Sequence, residues 1–163
     1  MEGEIALIER LQLHTQASNL HTCGLSQGLV SALFDSWAAR HGGDAVVGFE
    51  IHMSKVAQFY QERCAFFLAA AERHLTGLAE WTAPTAGMFV WLRLHGVLET
   101  HALTSEHAVT AKVLLVPGSS FDPAGAPSSY VRAAYSTASP EQMDAALDRL
   151  ARLLERERTA TSR

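Results

Sequence analysis

Val113–Ser136 reads VLLVPGSSFDPAGAPSSYVRAAYS. Two short apolar runs, Val113–Val116 and Tyr130–Tyr135, are separated by a Pro117-Gly118 turn and a loop rich in Ser, Gly and Pro, which predicts two strands. In the second run an arginine occupies a place where a hydrophobic residue would otherwise stand. Alternation puts Arg132 on one strand face with Tyr130 and Ala134, and Val131 and Ala133 on the other. A guanidinium on a short, mostly apolar strand needs an anionic partner or access to water.

Working outward, Met88–Leu94 (MFVWLRL) is a further strand, and Glu80–Thr82 a short edge strand interrupted by Pro84. Glu99–Lys112 is a weaker helical pattern. Ser139-Pro140-Glu141-Gln142 is a strong helix start: Ser139 caps, Pro140 takes the first helical position and Gln142 completes a capping box. Met143, Leu147, Leu150 and Leu154 form the apolar face of that helix, and residues 159–163 read as a frayed tail.

Upstream the pattern is helical. Glu4–His14 carries Ile5, Ile8 and Leu11 at helical spacing, and Thr15–Thr22 is a polar break. Leu25, Leu29, Leu33 and Trp37 form an amphipathic stripe with Thr22 as N-cap, stopped by His41-Gly42-Gly43. Asp44 opens a helix of about thirty residues, roughly 45 Å long, with Phe49, Met53, Val56, Tyr60, Cys64, Phe67, Ala71 and Leu75 along one side. A helix of that length in so small a chain is expected to bridge two bodies. The order of three helices, then strand, helix, strand, strand and helix predicts an α+β fold with helices packed on a small sheet.

Composition narrows the classes. At 163 residues, 48% hydrophobic and 18% charged, the chain suits a domain with a real core and not a disordered segment. The net charge of −4 with no basic run argues against nucleic acid as main partner. No apolar stretch approaches the ~20 residues of a membrane helix, and MEGEIALIER lacks the basic start of a signal peptide. Cys23 and Cys64 make no disulfide framework, which favours a reducing compartment, the cytoplasm or a mitochondrion.

Several local motifs carry little. Gly24-Leu25-Ser26-Gln27-Gly28 matches a hydrolase nucleophile elbow, but no strand precedes it and it lies within a helical stripe. The eight histidines are scattered, without zinc-site spacing to either cysteine. The two lysines, Lys55 and Lys112, read as a solvated helix residue and a helix-end cation. Gly118-Ser119-Ser120-Phe121 suits a phosphate loop or an ordinary turn equally. Arg132 is either a strand-edge arginine or a fork that grips a carboxylate with two parallel hydrogen bonds.

Longer blocks carry more. Leu75–Trp81 (LTGLAEW), Pro84–Leu92 (PTAGMFVWL), Val116–Phe121 (VPGSSF), Tyr130–Ser136 (YVRAAYS) and Ser139–Asp144 (SPEQMD) follow in order, preceded by Leu7–Arg10 and Ser18–His21. Together they resemble the C-terminal part of a fold type I, class I/II aminotransferase that uses pyridoxal phosphate, in the kynurenine/2-aminoadipate branch, over about residues 5–155. The resemblance implies transfer of an amino group between an α-amino acid, aromatic or 2-aminoadipate-like, and a 2-oxo acid, in a homodimer. It implies that Arg132 binds the substrate α-carboxylate, that Phe89 lines the substrate pocket, and that Leu20 lies near the dimer interface and active-site entrance.

The resemblance also implies a division of the chain: residues 1–43 as the end of the large cofactor domain, 44–76 as the connecting helix, and 77–158 as the small domain. In such enzymes the lysine that anchors the cofactor, and most other cofactor contacts, precede the segment matching Glu4–Arg10, so no catalytic lysine is expected among these 163 residues. Thr22-Cys23-Gly24 replaces the proline-like residue and serine of the relatives, so this loop is expected to be remodelled. The alternatives are a non-catalytic interaction or dimerisation module derived from the fold, and the sensor half of a regulator, which would need a helix-turn-helix upstream.

Overall fold

The computed structural model describes residues 2–161; Met1, Ser162 and Arg163, and with them the end of the expected tail, lie outside the described residues. The chain divides into two compact units, Met1–Lys55 and Val56–Arg163.

The first unit is helical. Helix α1 spans Glu2–Ser18 and runs through half of the expected polar break. The hydroxyls of Thr15 and Ser18 donate back to the carbonyls of Leu11 and His14 at 2.9 and 2.8 Å, so polar side chains are satisfied without leaving the helix. The helix closes at Leu20, whose N–H donates to the Thr15 carbonyl at 2.9 Å from a left-handed conformation with φ 58°. Glycine usually fills that position.

Helix α2 spans Gly24–Arg40, with Cys23 rather than Thr22 at its N-cap. The expected stop holds: His41 ends α2, and Gly42 and Gly43 follow at φ 66° and 93°. Asp44 then opens α3 (Ala45–Leu75), its carboxylate accepting from the Val46 N–H at 2.8 Å. The two helices meet at Gly48, where an added Cβ would lie 2.5 Å from the Cβ of Trp37. Phe34, Trp37 and Phe49 form a ring cluster beside this contact, with centroids 5.1–5.9 Å apart.

The apolar stripe of α3 changes along its length. Phe49 and Met53 are 39% and 48% exposed, whereas Phe67, Ala71 and Leu75 are buried.

In the second unit four strands form one antiparallel sheet in the order β1-β2-β4-β3, with β1 at Ala79–Trp81, β2 at Phe89–Leu94, β3 at Val116–Pro117 and β4 at Tyr130–Ala134. Alternation sends Val90, Leu92, Leu94, Val131 and Ala133 to one face, which packs on the C-terminal half of α3 and on α4 (Pro140–Thr161). The capping box of α4 forms as the sequence predicts: Gln142 accepts from the Ser139 N–H at 2.8 Å, and Ser139 Oγ accepts from the Gln142 N–H at 3.3 Å. The α+β architecture is the one the periodicity predicts, and no described helix is long and apolar enough to cross a membrane.

Two elements depart from expectation. The strand expected over Val113–Val116 shrinks to Val116–Pro117. Val113 is buried and its N–H donates to the Ala108 carbonyl at 2.8 Å, so it closes the preceding helix and has no donor left for a ladder. The helix expected over Glu99–Lys112 covers residues 101–110, and its centre, Leu103–Ala108, is wound as a π-helix. Lys112 follows it at φ 59°.

Candidate functional site

Within this unit, the described residues of α3 and α4 cover one face of the sheet. On the other, β2 presents Phe89, Trp91 and Arg93, and β4 presents Tyr130, Arg132 and Ala134. The register sets Arg132 opposite Trp91 on one side and Val116 on the other, with Phe89 opposite Ala134 two residues along. That diagonal offset brings the guanidinium carbon of Arg132 to 4.1 Å from the centre of the Phe89 ring. A second ring, Phe121, stands 4.6 Å from the same carbon. Phe121 arrives from a 3₁₀ turn, Gly118–Phe121, directly after β3, and Trp91 meets it edge-on at 4.9 Å. The two rings attract the cation through their faces and order a side chain that would otherwise sample many rotamers.

Arg132 is half-buried, and among the described residues no carboxylate pairs with it. Among the described residues no buried side-chain nitrogen or oxygen lacks a partner, so the unbonded guanidinium nitrogens keep access to solvent. Glu80, an acid at β1, is already engaged: Arg93 donates to it at 2.8 Å across the strand pair, with His95 at 3.7 Å. Arg93, first by hydrogen bond, holds the Glu80 carboxyl below its usual range. The planar fork of Arg132 therefore remains available to an external carboxylate. Beside it a cleft of about 620 Å³ is lined by Trp81, Pro84, Phe89, Trp91 and Tyr130 among others.

The segments flanking the arginine are tied down. Gly118 is buried where any Cβ would collide with the Ser128 hydroxyl and the Tyr130 carbonyl, so the turn carrying Phe121 lies against the start of β4. At the other end of β4, Tyr135 donates its hydroxyl to the Gly87 carbonyl at 2.9 Å and its N–H to the Met88 carbonyl at 3.1 Å. Arg63 of α3 donates to the carbonyls of Tyr135, at 2.7 Å, and Ala138. Burial first, and the Cys64 side chain second, push the Tyr135 hydroxyl up to about 12.

Of the three residues the sequence singled out, Arg132 and Phe89 are in contact. Leu20 belongs to the other unit, in the α1–α2 turn, 70% exposed and left-handed. Phe121 and Tyr135 had no signal in strand alternation alone, whereas Trp91, two residues from Phe89, shares its face by alternation. Phe121 is positioned by the turn after β3, and the Tyr135 hydroxyl by a bond to a residue 48 positions away. Gly24–Gly28 forms the first turn of α2 with Ser26 exposed, not a strand-to-helix elbow. Among the described residues no group of three His, Cys, Asp or Glu gathers at metal-binding distance. Lys55 and Lys112 are both exposed. Neither lysine lines the cleft beside Arg132.

No family model matches the chain. The mitochondrial kynurenine/alpha-aminoadipate aminotransferase of Rattus norvegicus is 43% identical over 153 residues, 93% of this chain and 34% of the relative. The aminotransferase tdiD of Emericella nidulans is 34% identical over 158 residues, 96% of this chain and 35% of that one. Among solved structures, LysN, an alpha-aminoadipate aminotransferase from Thermus thermophilus complexed with N-(5'-phosphopyridoxyl)-L-leucine, superposes with a TM-score of 0.77 at 28% identity, over 95% of this chain and 37% of its own. Sequence and fold together place the chain in the fold type I aminotransferase family. Within it, the chain matches the kynurenine/2-aminoadipate branch and corresponds to the C-terminal part of such enzymes. It spans about a third of the length of the relatives it matches.

Proposed function

We propose that this chain supplies the substrate-carboxylate side of an aminotransferase active site, with Arg132 as the clamp and Phe89 as a pocket wall. The observation that carries this reading is the acid-free guanidinium held against two rings on an uncovered sheet face. A bidentate carboxylate–arginine pair fixes an α-amino or 2-oxo acid in one orientation, while the aromatic walls accept its side chain. The substrates proposed are an aromatic or 2-aminoadipate-like α-amino acid and a 2-oxo acid.

Pyridoxal phosphate, which such enzymes use as an electron sink, has no anchoring lysine among these residues. Its chemistry and the amino transfer therefore belong to a longer or assembled protein, proposed to be a homodimer, in which residues 1–43 end the cofactor domain, 44–76 connect, and 77–158 form the small domain. Leu20 is assigned to the active-site entrance of that assembly. Free Cys23 and Cys64 accord with a reducing compartment, the cytoplasm or a mitochondrion.

The test is calorimetric titration of the chain with 2-aminoadipate and with a 2-oxo acid. Arg132→Gln is expected to weaken both by about tenfold or more, with the fold intact by circular dichroism. Equal affinity in the variant would remove Arg132 from the site. With pyridoxal phosphate added, the chain alone is expected to show no transamination. A stable cofactor absorbance band abolished by Lys55→Ala or Lys112→Ala would overturn that expectation.

A further inference from the structure

A second concave region, unrelated to Arg132, lies between the end of the π-helical segment and α4. It encloses about 660 Å³ and is lined by His107, Thr110, Lys112, Arg149, Arg152 and Arg156, with Ala111, Leu153 and Glu157. In a chain of net charge −4, this groove gathers four Lys and Arg side chains against one acid. Positions 149, 152 and 156 follow i, i+3, i+7, which stacks the three arginines along one stripe of α4. Arg152 is partly neutralised by Asp148 at 2.8 Å, and His107 pairs with Glu157 at 3.0 Å. Among the described residues Arg149, Arg156 and Lys112 have no ion-pair partner. Like charges gathered along one groove repel one another, weakly in water, and an anion between them relieves that repulsion.

The opposite wall has two further irregularities. It ends a π-helix, a winding found mostly as a local insertion at functional sites. Its Lys112 sits in the left-handed region at φ 59°, a conformation that costs a side-chain-bearing residue free energy and marks places where position matters more than stability. There the lysine, exposed at the helix end, lines the same groove as the arginine stripe.

We propose that this groove binds a small molecule bearing two or more phosphate groups, with Arg149 and Arg156 as its main ligands and Lys112 closing from the other wall. The stripe from Arg149 to Arg156 rises about 10 Å along the helix, a distance that two long arginine side chains can close upon one short polyphosphate. The chain's acidic balance and lack of a long basic run favour such a compact anion over a polymer.

The experiment titrates the chain with inorganic triphosphate, pyrophosphate and orthophosphate by calorimetry at low ionic strength. Triphosphate is expected to bind more tightly than orthophosphate and to weaken as salt rises. Arg149→Gln with Arg156→Gln should lower its affinity by tenfold or more, while Arg132→Gln leaves it unchanged. Both arginines are exposed, so the double variant is expected to keep its helical circular dichroism. Affinity unchanged in the double variant, no selectivity for triphosphate over orthophosphate, or loss of binding in Arg132→Gln would overturn the proposal. Tighter binding of a single-stranded oligonucleotide than of triphosphate would overturn it in favour of a nucleic-acid surface.

Discussion

Trp37 and Leu150 are both buried, but in very different settings. Among the described residues of the first unit, Trp37 is the one buried hydrophobic side chain, while Ile8, Leu11, Leu25, Leu29 and Val30 on its helices are each more than half exposed. Leu150, fully buried, belongs to a continuous cluster that joins α3, the inner sheet face and α4. The second unit closes its own core. In the first, α2 and α3 meet where Gly48 admits Trp37, and many large apolar side chains are left exposed, of the kind that more chain or another molecule normally covers. Secondary structure and tertiary closure are separate achievements: helices form in both units, but only the second buries or partly buries most of their large apolar side chains.

The sharpest way to break this comparison is in the closed core. Leu150→Ala is expected to destabilise the second unit by about 2–5 kcal/mol, the range for a fully buried leucine that leaves a cavity, read by denaturant unfolding. A loss under about 1 kcal/mol would mean the core is looser than described.

Gly48→Ala is next. It forces a methyl group into the space held by Trp37 and should cost about 1–3 kcal/mol, visible as a red shift of Trp37 emission with the second unit unaffected. If the two units melt together and lose stability equally, they are not independent.

Tyr135→Phe removes the hydroxyl bond to Gly87 and should cost about 1 kcal/mol. The same residue gives a pH test. Its hydroxyl is raised to about 12, first by burial and then by Cys64. The stabilisation is therefore full below the ordinary tyrosine value near ~10 and is lost as pH rises toward about 12. An absorbance titration should show a late tyrosine ionisation near pH 12 that vanishes in Tyr135→Phe.

Leu29→Ser is expected to change unfolding free energy by less than about 0.5 kcal/mol, because Leu29 is 64% exposed, while reducing any tendency to self-associate. A large loss would show that the first unit has a core of its own.

What the sequence disclosed follows the same division. Capping and turn chemistry act over a few residues, so Ser139–Gln142, Asp44 and His41–Gly43 were legible from the chain. Alternation put Arg132 on one face with Tyr130 and Ala134, and the family resemblance marked Phe89, but their contact depends on the β2–β4 register, which alternation does not fix. Phe121 was not legible, because its approach depends on a 3₁₀ turn packed where Gly118 has no room for a side chain. The short β3 was missed because Val113, a good strand former, spends its N–H on the helix before it. The left-handed Leu20 and Lys112 were missed because neither residue type favours that conformation, which comes from the helix ends they close.

The sheet's two outer strands have a consequence for solubility. β1 has three residues, and β3 has two, one of them Pro117, which has no N–H to offer. A passing extended chain therefore finds almost no free backbone to continue the ladder. Although one broad side of the sheet is aromatic and bare, ribbon-like growth from its borders is blocked. Association through this sheet must proceed by stacking on the flat side, where shape and charge select the visitor.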